Sequence, residues 1–312
     1  MADAAGGSLD PWAQWLIRGR DAGLDTEQLD ARKRHFQALA GRVLDGARIA
    51  DADRVLDVGA GTGLIALAAA GRTGPRGRVV AVDISRDALA ECRAGAKAEG
   101  HAAVGCVGGQ ATLLPFPDRS FDVIVTRSVL IYVADKPAAV AEMSRVLRPG
   151  GRISVFEPVN SAAKRLKLSR DPSGLSANSV PESLRAGHER VAAAMRARSP
   201  HYEPMTDFDE RDLIRLFVEA GFDAVGAKYE LLAARERWTA ERARRFIDQR
   251  GNPTGLTWRE AAIDALGAGA DEYLRAYLES RDGQVMTTVT AVVYLTAARH
   301  SPEAGFDSPS AT

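Results

Sequence analysis

Residues 54–66, RVLDVGAGTGLIA, combine a short apolar run with three glycines and one aspartate. The run Val55–Val58 predicts a buried strand, and Gly59, Gly61 and Gly63 predict a loop that leads into a helix. Glycine lets the backbone approach a ligand closely, and the N–H groups at the start of a helix favour negative charge. The spacing therefore predicts a ligand-binding turn at the end of a strand.

Two aspartates stand next to this turn. Asp57 lies at the end of the first predicted strand, where a carboxylate would repel a pyrophosphate and suits a cation. Asp83 ends the second predicted strand, Arg78–Ile84, where a carboxylate can accept hydrogen bonds from both hydroxyls of a ribose. The predicted ligand therefore carries a ribose and a positive charge but no diphosphate, and S-adenosylmethionine fits that description.

A glycine loop alone has other interpretations. Dinucleotide-binding oxidoreductases use a G-x-G-x-x-G turn at the same point of a parallel sheet, whereas the spacing here is G-x-G-x-G. Asp57 could be only a strand-end cap, and Asp83 only a surface carboxylate. Their joint placement around one glycine loop favours a cofactor site.

Linked motifs from about Arg54 to Pro158 resemble the class I S-adenosylmethionine-dependent methyltransferases, most closely the subgroup that includes ubiquinone/menaquinone-type and arsenite-type enzymes. VLDVGAGTG is similar to the family's first motif and VVAVDIS to the second. GGQATLLPFPDRSFDVIVTRSVLIYV resembles the loop and fourth strand, and MSRVLRPGGRISVFEP the helix, turn and fifth strand. The resemblance implies S-adenosylmethionine as cofactor and S-adenosylhomocysteine as product.

The resemblance also implies roles for single residues. The glycines would line the methionine end and the sulfonium, Asp83 would bind the ribose, and Ile84 would pack on the adenine. Gln110 and Ala111 would contact the adenine edge. Many relatives carry Asp where this chain has Gln110, but an amide oxygen can still accept a hydrogen bond from the adenine amino group. The implied cofactor-binding residues are Asp57, Gly59, Gly61, Gly63, Asp83, Ile84, Gln110, Ala111 and Arg127. Arg127 could position cofactor or acceptor, or form a salt bridge within the fold.

The implied chemistry is an in-line displacement in which an acceptor atom attacks the methyl carbon and a neutral thioether leaves. A dry site that holds acceptor and methyl about 3 Å apart supplies much of the acceleration. A base is needed only if the acceptor must lose a proton. The catalytic candidates are Tyr132, Glu157 and His188, with His201 as a further histidine. Each has a structural alternative, since Tyr132 could be a pocket wall, Glu157 a strand-end residue bonded to backbone, and the histidines surface residues.

Composition limits the classes of partner. The chain has 312 residues, 46% of them hydrophobic, and equal totals of 41 basic and 41 acidic residues. Without net charge, a phosphate backbone gains no general attraction, which argues against a nucleic-acid substrate. There is no apolar stretch of membrane-spanning length and no signal-peptide pattern in residues 1–10, so we expect no membrane partner and a cytoplasmic location. The oligomeric state stays open, a homodimer being one alternative.

The two cysteines of the chain fall in a predicted helix and a predicted strand. Cys92 and Cys106 are best interpreted as small buried hydrophobic residues. Arsenite methylation uses several cysteine thiolates, so the chain departs from that relative in the residues that matter, and we expect no arsenic substrate. No metal site is predicted.

The pattern of apolar runs predicts an α/β fold with a parallel, doubly wound sheet, N-terminal helices and helical cap insertions. The family resemblance implies a Rossmann-like sheet of seven strands with an antiparallel last strand. The turn at Pro149–Gly151 should precede the fifth strand, which we expect at Arg152–Phe156. The predicted organisation is an N-terminal helical cover at 1–50, with a disordered start, a core at 51–232 with an insertion at about 160–205, a helical cap at 233–283, the final strand at 284–300 and a disordered tail at 301–312.

Three functions remain open from the sequence. The favoured one is methyl transfer to a small organic acceptor in specialised metabolism, with the two additions enclosing the acceptor. The alternatives are an NAD-dependent oxidoreductase, which Asp57 disfavours, and a non-catalytic module that only binds the cofactor.

Overall fold

One sheet organises the chain. The computed structural model describes residues 8–101, 103–166, 180–201 and 203–300. The strands in this part of the chain are β1 (Arg54–Val58), β2 (Arg78–Asp83), β3 (Val104–Gly108), β4 (Phe121–Arg127), β5 (Leu147–Pro158), β6 (Ala224–Arg237) and β7 (Val285–Ala298). They form one seven-stranded sheet in the order β3-β2-β1-β4-β5-β7-β6.

Strand direction follows the predicted scheme. β1 pairs in parallel with β2 and with β4, β2 with β3, and β4 with β5. The last strand runs antiparallel. The predicted Rossmann-like, doubly wound sheet is therefore confirmed, and the carboxyl ends of β1, β2 and β4 lie at one edge of the sheet.

Helices connect most of the strands. They are α1 (Pro11–Gln14), α2 (Thr26–Ala47), α3 (Leu64–Ala70), α4 (Arg86–Ala98), α5 (Lys136–Val146), α6 (Ser161–Arg165), α7 (Glu182–Ala197), α8 (Glu210–Glu219), α9 (Ala240–Asp248), α10 (Trp258–Leu266) and α11 (Ala270–Arg281). Local sequence sets several of their starts. Ser85 caps α4 by accepting from the N–H of Ala88, and Thr257 and Glu260 form a capping box at α10.

The sheet is held by an apolar core. Val55, Val79 and Val123 are fully buried on neighbouring strands, and Val43 and Leu44 of α2 belong to the same cluster. Burying a side chain of this size stabilises a fold by roughly 1.5–3 kcal/mol. The continuous apolar runs of β1 and β4 are what such a doubly covered parallel sheet requires.

Two strand boundaries differ from the sequence prediction. β5 begins at Leu147, so the predicted turn at Pro149–Gly151 is wrong as a boundary. The reason is tertiary, because Gly150 donates to the carbonyls of Arg299 and His300 and Gly151 accepts from Arg299. The sequence predicts the sixth strand at Ala224–Leu231, and β6 continues to Arg237.

The chain forms two compact units. Among the described residues, the first comprises 8–31, 158–209 and 230–291, and the second comprises 32–157, 210–229 and 292–300. The predicted insertion at about 160–205 and the predicted cap at 233–283 belong to the first unit, and α9, α10 and α11 lie in the latter segment. Their function as a cap, and the predicted domain boundaries, stay predictions.

Two predictions concern the ends of the chain. The expected disordered segments at the start and at 301–312 lie outside the described residues, apart from Ser8. In the part of the chain that is described, no helix has both the length and the apolar character needed to cross a bilayer.

Candidate active site

The glycine loop joins β1 to α3 within the second unit. Gly59, Gly61 and Gly63 have φ angles of 70°, 54° and 94°, a region that favours glycine. The N–H groups of Gly59 and Ala60 donate to the carbonyl of Val82 at 2.8 and 3.1 Å. The loop is thereby fastened to the end of β2, as expected for a turn that places backbone N–H groups next to a ligand.

Two of these glycines are also required by packing. A Cβ at Gly59 would lie 2.2 Å from Cγ2 of Val129, and one at Gly63 would lie 2.5 Å from Sγ of Cys92. Any side chain at either position would therefore displace the segment that follows β4 or the helix α4. The loop fits closely between these two elements.

Asp83 connects the loop to β2. Its Oδ2 accepts from the N–H of Gly61 and its Oδ1 from the N–H of Ser85, both at 2.8 Å. A carboxylate can accept about four hydrogen bonds, so these two are compatible with ribose hydroxyls on the same group. The side chain is half-buried at the carboxyl end of the strand, the position the sequence predicts for the ribose ligand.

Asp57 is more deeply placed than the sequence suggests. The side chain is 1% exposed. Burial raises its pKa to about 8, although a hydrogen bond from the backbone of Ala66 and the charge of Arg127 oppose the shift. Its Oδ2 has no hydrogen-bond partner among the residues that the structure describes. Buried acceptors are usually satisfied, so a donor or cation near this oxygen would be favourable.

The predicted adenine residues follow β2 and β3. The N–H of Gly109 donates to the carbonyl of Asp83 at 3.0 Å, which brings the two segments together. Ile84 is 54% exposed, Gln110 is exposed and Ala111 is half-buried. Leu113, which the sequence analysis missed, is 73% exposed and forms a turn with Gln110. Exposed apolar side chains on the segments that follow β2 and β3 are compatible with the predicted adenine contact.

An arginine network holds the chain that follows Leu113. Arg145 of α5 donates to the carbonyls of Leu114 and Phe116 at 3.0 and 2.8 Å. It also binds the carboxylates of Glu142 and Asp118 at 2.7 to 2.8 Å. The segment MSRVLRPGG around Arg145 resembles the family's helix and turn, and the sequence alone does not predict this anchor.

Glu157 holds the segment after β4. Its carboxylate accepts from the N–H groups of Val129 and Leu130 at 2.9 Å and of Ile131 at 3.1 Å. The side chain is fully buried, and burial raises its pKa to about 7 against the effect of the three N–H donors and of Lys136. Of its two sequence interpretations, this geometry matches the residue bonded to backbone, and a catalytic role stays a prediction.

Tyr132 and Arg127 flank the segment that Glu157 holds. Tyr132 ends the short helical turn Leu130–Tyr132 and is half-buried. Arg127 ends β4, and Ser128 next to it has a φ of 56°, a strained value for a residue other than glycine. The structure therefore places both candidates at the same end of the sheet as the glycine loop.

The two histidine candidates lie in the first unit. His188 is 1% exposed, its Nδ1 is 3.3 Å from Oη of Tyr273, and its ring lies 4.8 Å from that of Trp258. It was expected as a surface residue if not catalytic, and it is instead part of an aromatic core. His201 is half-buried with its ring 5.5 Å from that of Trp12. The residues predicted to bind the cofactor lie in the second unit, and the two histidines lie in the first.

Both cysteines pack in the sheet core. Cys92 is buried and Cys106 partly buried in the cluster that includes Val79. Burial raises the pKa of Cys92 to about 12, which disfavours the thiolate. Within the described ranges, no group of three or more His, Cys, Asp or Glu side chains is arranged to hold a metal ion.

The matches of this chain to known proteins point to one family. Residues 56–155 match the family described as a methyltransferase domain. Over 264 residues the chain is 31% identical to a nocamycin O-methyltransferase from Saccharothrix syringae, with 84% of this chain and 90% of that protein covered. It is 33% identical over 183 residues to a ubiquinone/menaquinone biosynthesis C-methyltransferase from Pseudomonas putida, covering 58% and 69% of the two chains.

One solved structure shows the fold. The YcgJ protein of Bacillus subtilis is 20% identical and superposes with a TM-score of 0.54, covering 86% of this chain and 99% of that one. The sheet and its surrounding helices are therefore shared with a known architecture.

Proposed function

The chain belongs to the class I S-adenosylmethionine-dependent methyltransferases, and on this premise we propose that it methylates a small organic acceptor of specialised metabolism. The observation that carries the proposal is the similarity to the nocamycin O-methyltransferase, which spans 84% of this chain and so extends well beyond the domain at 56–155. The C-methyltransferase relative aligns with only 58% of the chain. An acceptor oxygen is therefore the first nucleophile to test.

We assign the cofactor contacts to the second unit. S-adenosylmethionine supplies an electrophilic methyl group on a sulfonium that leaves as a neutral thioether. Asp83 binds the ribose hydroxyls, and Ile84 and Leu113 cover the adenine, whose amino group Gln110 recognises. This assignment is supported by the hydrogen bond between Asp83 and Gly61 and by the exposure of the two apolar side chains. Ala111, Gly59 and Gly63 complete the surface.

We assign Asp57 an electrostatic role that depends on ionisation of its buried carboxyl when the cofactor binds. Its carboxyl group is buried and accepts a hydrogen bond from the backbone of Ala66 in α3, and its Oδ2 has no hydrogen-bond partner among the described residues. With its pKa raised to about 8, Asp57 is mostly protonated near pH 7 in the free protein, and it is the ionised form that favours a cationic ligand at the loop. A bound cation would lower the pKa of Asp57, since an opposite charge favours the ionised form.

The acceptor contacts follow β4. We assign Tyr132 a contact with the acceptor and Glu157 a positioning role. The Glu157 carboxylate accepts from the N–H groups of Val129, Leu130 and Ile131 and so holds the turn that carries Tyr132. His188 is assigned to packing, on its burial among Trp258 and Tyr273.

The test is methyl transfer from methyl-labelled S-adenosylmethionine to a panel of hydroxylated acceptors and their deoxy analogues. The expected result is label on oxygen only in the hydroxylated compounds. Tyr132→Phe should lower kcat, whereas His188→Phe should leave it within about twofold, because only the former removes a polar group assigned to the acceptor. Label transferred only to carbon or nitrogen would contradict the choice of oxygen, and equal loss in both variants would contradict these residue roles.

A further inference from the structure

An aromatic side chain of α2 lies within cation–π distance of two guanidinium groups. The ring centroid of Phe36 is 5.1 Å from Cζ of Arg127 and 5.4 Å from Cζ of Arg32. Both distances fall within the range at which a guanidinium is attracted to the face of an aromatic ring. Phe36 and both arginines belong to the second unit.

Arg127 is also close to the glycine loop. It ends β4, which pairs with β1 through Val125 and Asp57, and its charge acts on the buried carboxylate of Asp57. Val129, two residues further along the chain, lies against Gly59. Arg127 therefore contacts Phe36 of α2 through its guanidinium, and its charge acts on Asp57, which directly precedes the glycine loop on β1.

An arginine side chain has many rotamers, and ordering it on binding costs conformational entropy. A planar guanidinium that is already stacked on a ring loses less when a ligand binds, because its orientation is set beforehand. A guanidinium also pairs well with a carboxylate. The cofactor carries one carboxylate, on its amino-acid end, which is the end that the glycine loop is proposed to receive.

We propose that Phe36 is a positioning residue for the cofactor: its ring holds the Arg127 guanidinium in the orientation that pairs with the carboxylate of S-adenosylmethionine, and α2 thereby contributes to cofactor affinity. This inference rests on the cofactor binding proposed above and on the cofactor contact of Arg127 that the family resemblance implies. It concerns a residue outside the motifs that identify the family, and α2 is separated from them in sequence.

The experiment compares two ligands by calorimetry, S-adenosylhomocysteine and 5′-methylthioadenosine, which share the adenosine and the thioether but of which only the first has a carboxylate. Phe36→Leu is expected to raise the Kd for S-adenosylhomocysteine about three- to tenfold and to leave that for 5′-methylthioadenosine unchanged. Phe36→Tyr keeps the ring and should restore the affinity. Gln37→Leu, at the exposed neighbouring position of α2, is the matched control and should change neither value.

The variant Arg127→Gln provides a second test that does not depend on whether Phe36→Leu folds. This variant should weaken binding of S-adenosylhomocysteine but not of 5′-methylthioadenosine. When Phe36→Leu is added to it, the affinity should not change further. Equal weakening of both ligands by Phe36→Leu, or an Arg127→Gln variant with unchanged affinity for S-adenosylhomocysteine, would overturn the proposal. Wild-type protein that binds neither ligand would instead contradict the cofactor assignment itself.

Discussion

The backbone N–H of Gly61 donates to Oδ2 of Asp83 at 2.8 Å. This bond joins the loop after β1 to the carboxylate at the end of β2, so the two motifs that identify the cofactor are directly connected. The same carboxylate also accepts from Ser85 and so fixes the start of α4. Cofactor affinity and loop geometry should therefore change together when Asp83 is altered.

Replacing Asp83 tests this coupling. Asp83→Asn keeps the volume but puts an NH₂ group opposite one of the two backbone N–H donors, Gly61 or Ser85, and it removes the charge that favours ribose hydroxyls. We expect a loss of about 1.5–3 kcal/mol in binding of S-adenosylhomocysteine, the range for hydrogen bonds to charged groups. Glu91→Gln, on the exposed face of α4, is the control and should bind like wild type in calorimetry. Unchanged affinity in Asp83→Asn would remove Asp83 from the site.

Gly63 tests the packing of the loop. Gly63→Ala combines a φ of 94° with a methyl group 2.5 Å from Sγ of Cys92, and we expect it to lower the free energy of unfolding by roughly 2–4 kcal/mol. Adding Cys92→Ala should recover part of this loss, since it removes the clash but not the strain. Gly41→Ala in α2, where a Cβ meets nothing within 4 Å, should be neutral or stabilising in urea denaturation. A double variant no more stable than Gly63→Ala would show that the Cys92 contact is not the cause.

Sequence patterns predicted the first part of this site for a physical reason. A buried parallel strand needs a continuous apolar run and a ligand turn needs glycine, and both leave marks in the sequence around Gly59. The Arg145 network and the contact between Phe36 and Arg127 leave no such mark, because each depends on side chains that meet only after folding. The start of β5 was missed for the same reason, since it depends on pairing with residues near Arg299.

Glu157 should make stability depend on pH. Burial raises its pKa from an ordinary value of 4.5 to about 7, so the folded protein keeps a proton that the unfolded chain releases. The associated stabilisation is complete below pH 4.5 and is lost as the pH rises through about 7, and its size is roughly 3 kcal/mol.

The variant Glu157→Gln does not titrate, so between these pH values wild type should lose stability relative to it by up to that amount. Urea denaturation of both proteins across this range measures the difference, and the contribution of Asp57 cancels because both proteins contain it. A stability difference that is constant with pH would mean that the three N–H donors outweigh burial and keep Glu157 ionised. The expected pH dependence would then be wrong.

Arg145 should control the order of the segment after Leu113. Arg145→Lys cannot reach both carbonyls and both carboxylates at once, and we expect it to lower stability by about 1–3 kcal/mol. Hydrogen exchange of residues 111–118 should become faster, and affinity for S-adenosylhomocysteine should fall. Arg72→Lys, in an exposed ion pair with Asp45, should change stability by less than about 1 kcal/mol. Unchanged exchange in Arg145→Lys would contradict the anchoring role.

The central claim is that the loop at Gly59–Gly63, fastened to Asp83, binds an adenosine joined to a sulfonium. Calorimetric titration of the purified protein with S-adenosylmethionine, S-adenosylhomocysteine and NAD tests it most directly. We predict saturable binding of both sulfur compounds at one site per chain, with competition between them, and no binding of NAD. Binding of NAD without either sulfur compound, or no binding of the sulfur compounds at all, would contradict the account.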